Sequence, residues 1–167
     1  MSSHAMHGLN NFWLNILLMA LWHLLVFLIC INIKTSNFSA DKPMYRCKGW
    51  EQNGKWYKTH LRINLWKDAL PQHVGKDGFS KRHLVSLSPD YIEQFILETC
   101  RAEWNHRINC LFFIIAFMVN SLIPAIFFSL VTILLNIPFI IIQRYNRFRL
   151  LSLKNRLSKA PSSTDLG

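Results

Sequence analysis

The sequence predicts an all-α integral membrane protein: an N-terminal transmembrane helix, a cytoplasmic interfacial segment with an amphipathic helix, and a C-terminal transmembrane helical hairpin. Three observations lead there. Phe12 to Ile33 contains no Asp, Glu, Lys or Arg. A second uncharged region runs from Ile108 to Ile142. All 19 Lys and Arg of the 167-residue chain lie outside these two runs.

The first run is long enough to cross a hydrocarbon core of about 30 Å at about 1.5 Å per residue. A cleaved secretory signal is its competitor. However, no Lys or Arg precedes Phe12, the apolar run is longer than a signal core of roughly 7 to 15 residues, and no small-x-small cleavage site follows. We therefore read 12–33 as an uncleaved anchor and 1–11 as an extracytoplasmic N-terminus. Asn15 and His23 lie inside this span, where polar groups need partners; helix-to-helix hydrogen bonding accounts for them as well as substrate contact does.

Residues 34–107 hold 13 of the basic residues, and six more follow from Arg144. Basic segments flanking apolar spans are what the positive-inside rule and anionic headgroups select, so the formal charge of +10 calls for no nucleic-acid partner. With both basic segments in the cytoplasm the N-terminus is outside, the C-terminus is inside, and the protein is a multi-pass protein of the cell membrane. Trp50, Trp56, Tyr57 and Trp66 interleave with Lys48, Lys55, Lys58 and Lys67, as at a headgroup boundary. Leu61, Ile63 and Leu65 alternate with polar residues, which fits either a short strand or a short helix with a turn.

Ser88-Pro89-Asp90 is a helix-start signal that predicts a helix over 89–107. On it Ile92, Ile96, Thr99, Glu103 and His106 share one face, so an apolar stripe ends in a carboxylate and an imidazole. The region 108–142 is longer than one helix needs and is broken by Asn120, Ser121 and Pro124. It reads as a transmembrane or re-entrant hairpin, whose first arm has only about 14 residues. The remainder, 143–167, reads as a basic cytoplasmic tail, helical at first and then disordered.

Glu103-x-x-His106 places two ionisable groups on neighbouring turns, where a glutamate can orient an imidazole that deprotonates a hydroxyl. Spacing alone favours a plain interfacial polar pair. His83, beside Lys81 and Arg82, is the alternative base; a solvated basic loop accounts for it equally. Asn136, Gln143 and Arg147 at i, i+7 and i+11, with Arg144, Tyr145 and Asn146 beside them, form a polar ladder suited to a lipid headgroup, although Arg and Tyr beside a span are also ordinary anchors. No metal site is expected, since no ligand spacing occurs and the four cysteines are scattered.

Four blocks carry a resemblance. Trp66-Lys67-Asp68-x-Leu70-Pro71, Lys81-Arg82-His83-Leu84, Glu98-Thr99-x-Arg101-Ala102-Glu103-x-x-His106, and Asn136-x-Pro138 followed by Gln143-Arg144-Tyr145-Asn146-Arg147-x-Arg149-Leu150 resemble the glycosyl-4,4′-diaponeurosporenoate acyltransferase family, in order over roughly 54–150. The resemblance implies a membrane O-acyltransferase that moves a fatty acyl group onto a sugar hydroxyl of a glycosylated carotenoid, the closing step of staphyloxanthin-type pigment synthesis. It implies no bound cofactor, and an acyl thioester such as acyl-CoA as co-substrate. Pigment-pathway enzymes or a second copy of the chain are the partners it suggests. His106 becomes the expected base and Glu103 its orienter, with His83 as the alternative base. Gln143, Arg144, Tyr145, Asn146, Arg147, Asn136, Arg101 and Glu98 become the expected binding residues. Two other classes compete: an enzyme acting on another glycolipid or polyprenyl lipid, and a noncatalytic membrane subunit or adaptor.

Overall fold

The computed structural model describes residues 3–70 and 86–159, with side chains from residue 11. The described residues are helical, with no strand. α1 spans Ser3–Asn32, α2 Lys55–His60, α3 Pro89–Cys110, α4 Phe112–Val119 and α5 Leu122–Leu157; short 3-10 turns fill much of 35–69. The contacts divide the chain into two compact units: Met1–Lys34 with Ala102–Ile140, and Thr35–Arg101 with Ile141–Gly167.

In the first unit α1 and α5 are each long and apolar enough to cross a membrane. Their side chains are sorted as lipid exposure requires. Along α5, Ala125, Phe128, Ser129, Thr132 and Asn136 are buried, while Ile123, Phe127, Leu130, Leu134 and Leu135 are exposed. Small and polar groups inside with large apolar groups outside reverse the arrangement of a water-facing helix and match helices packed in lipid. α1 repeats it, with Asn15, Val26 and Cys30 buried and Trp13, Leu17, Leu21 and Leu24 exposed. Phe112, Ala116 and Phe128 form the core against Ile16, Met19 and Trp22.

The apolar region from Ile108 divides unevenly. α3 continues to Cys110, a single turn residue, Leu111, follows, and α4 has only eight residues, or about 12 Å of rise. That is less than half of a hydrocarbon core of about 30 Å, so α4 alone does not span. The chain turns at Asn120 and Ser121, where the sequence places the break. α5 runs unbroken through Gln143 for 36 residues, about 54 Å, with Pro138 inside it.

In the second unit Ser88 caps α3, its Oγ accepting the Tyr91 N–H at 3.4 Å. The expected face is buried there: Ile92, Ile96 and Thr99 are inaccessible, and Leu150 of α5 packs on the first two. Lys154 pairs with Glu93 at 2.6 Å. The residues that alternate around Ile63 form a 3-10 turn, Ile63–Leu65, rather than a strand. Gln52, Asn53 and Gly54 are three consecutive left-handed residues that bring the chain against α5. At Gly54, with φ +89°, a Cβ would lie 3.3 Å from Tyr145 Cδ2. Gly54→Ala is therefore expected to destabilise the protein by about 1–2 kcal/mol, read as a lower melting midpoint in detergent; an unchanged midpoint would contradict this backbone conformation.

Candidate functional site

The helices of the first unit enclose a chain of polar side chains among apolar ones. His106 Nδ1 lies 2.9 Å from Asn136 Oδ1. Asn136 Nδ2 lies 2.9 Å from the Thr132 carbonyl and 3.2 Å from His23 Nε2. His23 Nδ1 lies 2.8 Å from the Met19 carbonyl. Asn109 Nδ2 approaches Asn136 Oδ1 at 3.5 Å, and the Asn109 carbonyl, at the end of α3, accepts the Trp22 indole N–H at 3.2 Å.

These partners fix proton positions. The Thr132 carbonyl can only accept, so the amide nitrogen of Asn136 faces it and the amide oxygen faces His106. His106 therefore carries its proton on Nδ1, and Nε2 is its basic nitrogen. The ring stacks on Phe139, with centroids 4.7 Å apart and planes 9° from parallel. Asn136 is buried and lies 14 residues into α5, about 21 Å of rise along an apolar helix.

Glu103 was expected to orient this imidazole. Its carboxylate receives Arg107, at 2.8 Å from Nε and 2.6 Å from the terminal nitrogen. The tautomer of His106 is set by Asn136, which the sequence placed in the headgroup ladder. An i, i+3 neighbour on one helix is obvious from spacing; an amide 30 residues away is not.

A 510 Å³ cavity lies elsewhere in the unit, against Phe12, Asn15, Asn120, Phe127 and Phe128. Asn15 and Asn120 exchange both amide hydrogen bonds, at 2.8 and 2.7 Å, and so close upon each other.

The expected headgroup ligands fall mostly in the second unit and serve its interior. Arg144 is buried, with Nε 2.6 Å from Glu51 Oε1 and a terminal nitrogen 2.7 Å from Oε2, a bidentate pair. It also donates to the Met44 carbonyl at 2.9 Å and the Arg46 carbonyl at 3.0 Å. Glu51 is fully inaccessible and also accepts the Tyr57 hydroxyl and the Lys48 N–H. Burial pushes the Glu51 carboxyl up, but the hydrogen bonds from Arg144, Tyr57 and Lys48 outweigh it and hold the group below its ordinary value. Burial and the Glu51 carboxylate push the Tyr57 hydroxyl well up. Arg144 is thus tied into the interior of this unit by a carboxylate and two carbonyls. Nothing in the spacing around Glu51 pointed to an arginine 93 residues away.

Arg147 is buried too, with Nε 3.2 Å from the Tyr45 carbonyl and its guanidinium over the Tyr45 and Phe148 rings. Tyr145 donates to Asn64 Oδ1 at 2.9 Å. Gln143 is buried, and its Oε1 has no hydrogen-bond partner among the described residues. Asn146 is half-buried. Glu98 and Arg101 pair with each other on α3 at 2.8 Å. His83 lies outside the described residues. No group of three or more His, Cys, Asp or Glu able to hold a metal occurs among the described residues.

The family model for glycosyl-4,4′-diaponeurosporenoate acyltransferase matches residues 41–156, a stretch that holds His106, Asn136 and the Glu51–Arg144 pair. The chain belongs to this family. Proteins bearing that name from Staphylococcus aureus strains N315, USA300 and bovine RF122 are each 30% identical to it over 132 residues, covering 77% of this chain and 78% of theirs. No solved structure matches. His23 and the rest of α1 precede the stretch matched to the family.

Proposed function

We propose that the protein is a membrane acyltransferase that moves a fatty acyl group from an acyl thioester to a sugar hydroxyl of a glycosylated carotenoid, with His106 as general base. One observation carries this reading: in a member of an acyltransferase family, an imidazole among apolar helices has its Nδ1 held by the buried amide oxygen of Asn136, which assigns the role of base to Nε2. His106 Nε2 takes the proton of the sugar hydroxyl as its oxygen attacks the thioester carbonyl. The tetrahedral intermediate collapses, the C–S bond breaks, and the imidazolium returns the proton to the leaving thiolate. Asn136 Oδ1 accepts from Nδ1 throughout, which supports the imidazolium as it forms. Acyl acceptor and donor tails are both apolar, which suits a base reached from lipid.

The test is acyl transfer in membranes from a strain that accumulates the unacylated glycosyl-carotenoid, with acyl-CoA supplied. Formation of the ester that depends on this protein is the expected result. Acylation of a different glycolipid or polyprenyl lipid, with the carotenoid untouched, would replace the acceptor; no lipid change at all would leave a noncatalytic subunit.

The orientation we propose places the basic segments in the cytoplasm. Reporters fused near Lys58 and Lys159 should both register as cytoplasmic. Opposite sides for the two would overturn it.

A further inference from the structure

We propose that His23, on α1, is a positioning residue for His106, acting through the side chain of Asn136; this rests on the reading of His106 as base. An asparagine amide has two N–H donors and two acceptor positions. All four are used here. The donors go to the Thr132 carbonyl at 2.9 Å and to His23 Nε2 at 3.2 Å, and the oxygen accepts from His106 at 2.9 Å and faces Asn109 at 3.5 Å. His23 is itself fixed, because Nδ1 must donate to the Met19 carbonyl at 2.8 Å and only Nε2 remains to accept.

The sequence of obligations runs one way: the Met19 carbonyl sets the His23 tautomer, His23 helps to set the Asn136 amide, and Asn136 sets the His106 tautomer. Without an acceptor at the His23 ε position, one amide N–H is left buried without a partner, and rotation of the amide to reach another one withdraws Oδ1 from His106. The base then loses the contact that keeps its proton on Nδ1. A merely cohesive hydrogen bond between α1 and α5 would tie the helices together without any bearing on His106.

The two readings separate on variants of the full-length protein in nanodiscs. His23→Leu removes the acceptor; His23→Gln keeps one, because glutamine Oε1 occupies about the position of Nε2. Per folded molecule, His23→Leu is expected to lower kcat about 10-fold to 100-fold, the scale of misplacing a reacting group, with KM little changed. Imidazole NMR of isotope-labelled protein should show His106 leaving the pure Nδ1–H tautomer. His23→Gln should restore both kcat and the tautomer signature. If His23→Leu does not accumulate, His23→Asn, polar but too short to reach, should show the same kcat loss. An unchanged kcat and an unchanged His106 tautomer in either variant, whatever the melting midpoint does, overturn the proposal. Full activity of His106→Ala would instead remove the base assignment on which it rests, irrespective of His23.

Discussion

His106→Ala is expected to lower acyl-transfer turnover about 100-fold to 10,000-fold, the range for removal of a general base, while the protein stays in the membrane at its normal level. Within its unit His106 meets Asn136 through a hydrogen bond and stacks on the Phe139 ring. Initial rates per immunoblotted protein measure the effect. Asn136→Leu should show a smaller loss, because a base remains but its tautomer is no longer imposed. Glu103→Gln should change turnover less still through its Arg107 pair than loss of the imidazole does. His83→Ala is the necessary contrast. A dead His83 variant beside an active His106 variant would move the base to His83, and two active variants would leave no histidine mechanism standing.

Arg144→Met is expected to destabilise the protein by about 3–5 kcal/mol, because it strands the Glu51 carboxylate without the guanidinium in a fully buried position. Glu51→Leu with Arg144→Met should recover most of this, since a well-packed apolar pair avoids the desolvation that the ions carry. The pair also fixes a pH dependence. A carboxyl whose folded value is lowered contributes stability that is fully present above its ordinary value near 4.5 and is lost as pH falls through the lowered one. Thermal scans in detergent between neutral and acid pH should therefore show an acid limb that Arg144→Met flattens. A stable Arg144→Met whose KM for the lipid rises would return Arg144 to the headgroup role that its place beside a span suggests.

The two long apolar helices were legible because they rest on composition: an uncharged run of sufficient length needs no tertiary knowledge. The start of α3 was legible at Ser88-Pro89 for a similar reason, since a cap and a proline act locally. The end of the second apolar region was not. The helical ladder through Gln143 and Arg147 was expected, but the packing beyond the apolar run, where the buried Arg144 side chain pairs with Glu51, was not. Site residues divide along the same line. His106 stood out because its helical face was apolar before it. Asn136 was visible as a polar residue in a span, but its partner was misread, because helical spacing reports neighbours along one helix and says nothing of which other helix lies opposite. Glu51 gave no signal at all; a single glutamate among tryptophans and lysines reads as surface.

The amide pair of Asn15 and Asn120 and the contact between His23 and Asn136 join residues 105 and 113 positions apart. If α1 enters the bilayer as proposed, synthesis at about 5–20 residues per second leaves it there roughly 5 to 20 seconds before either partner has been made. For that interval two polar side chains sit in an apolar medium with only their own helix to satisfy them, through the Asn11 and Met19 carbonyls. On that reading biogenesis has a vulnerable window whose length is set by the segment between α1 and α5, and slower translation of that segment would widen it.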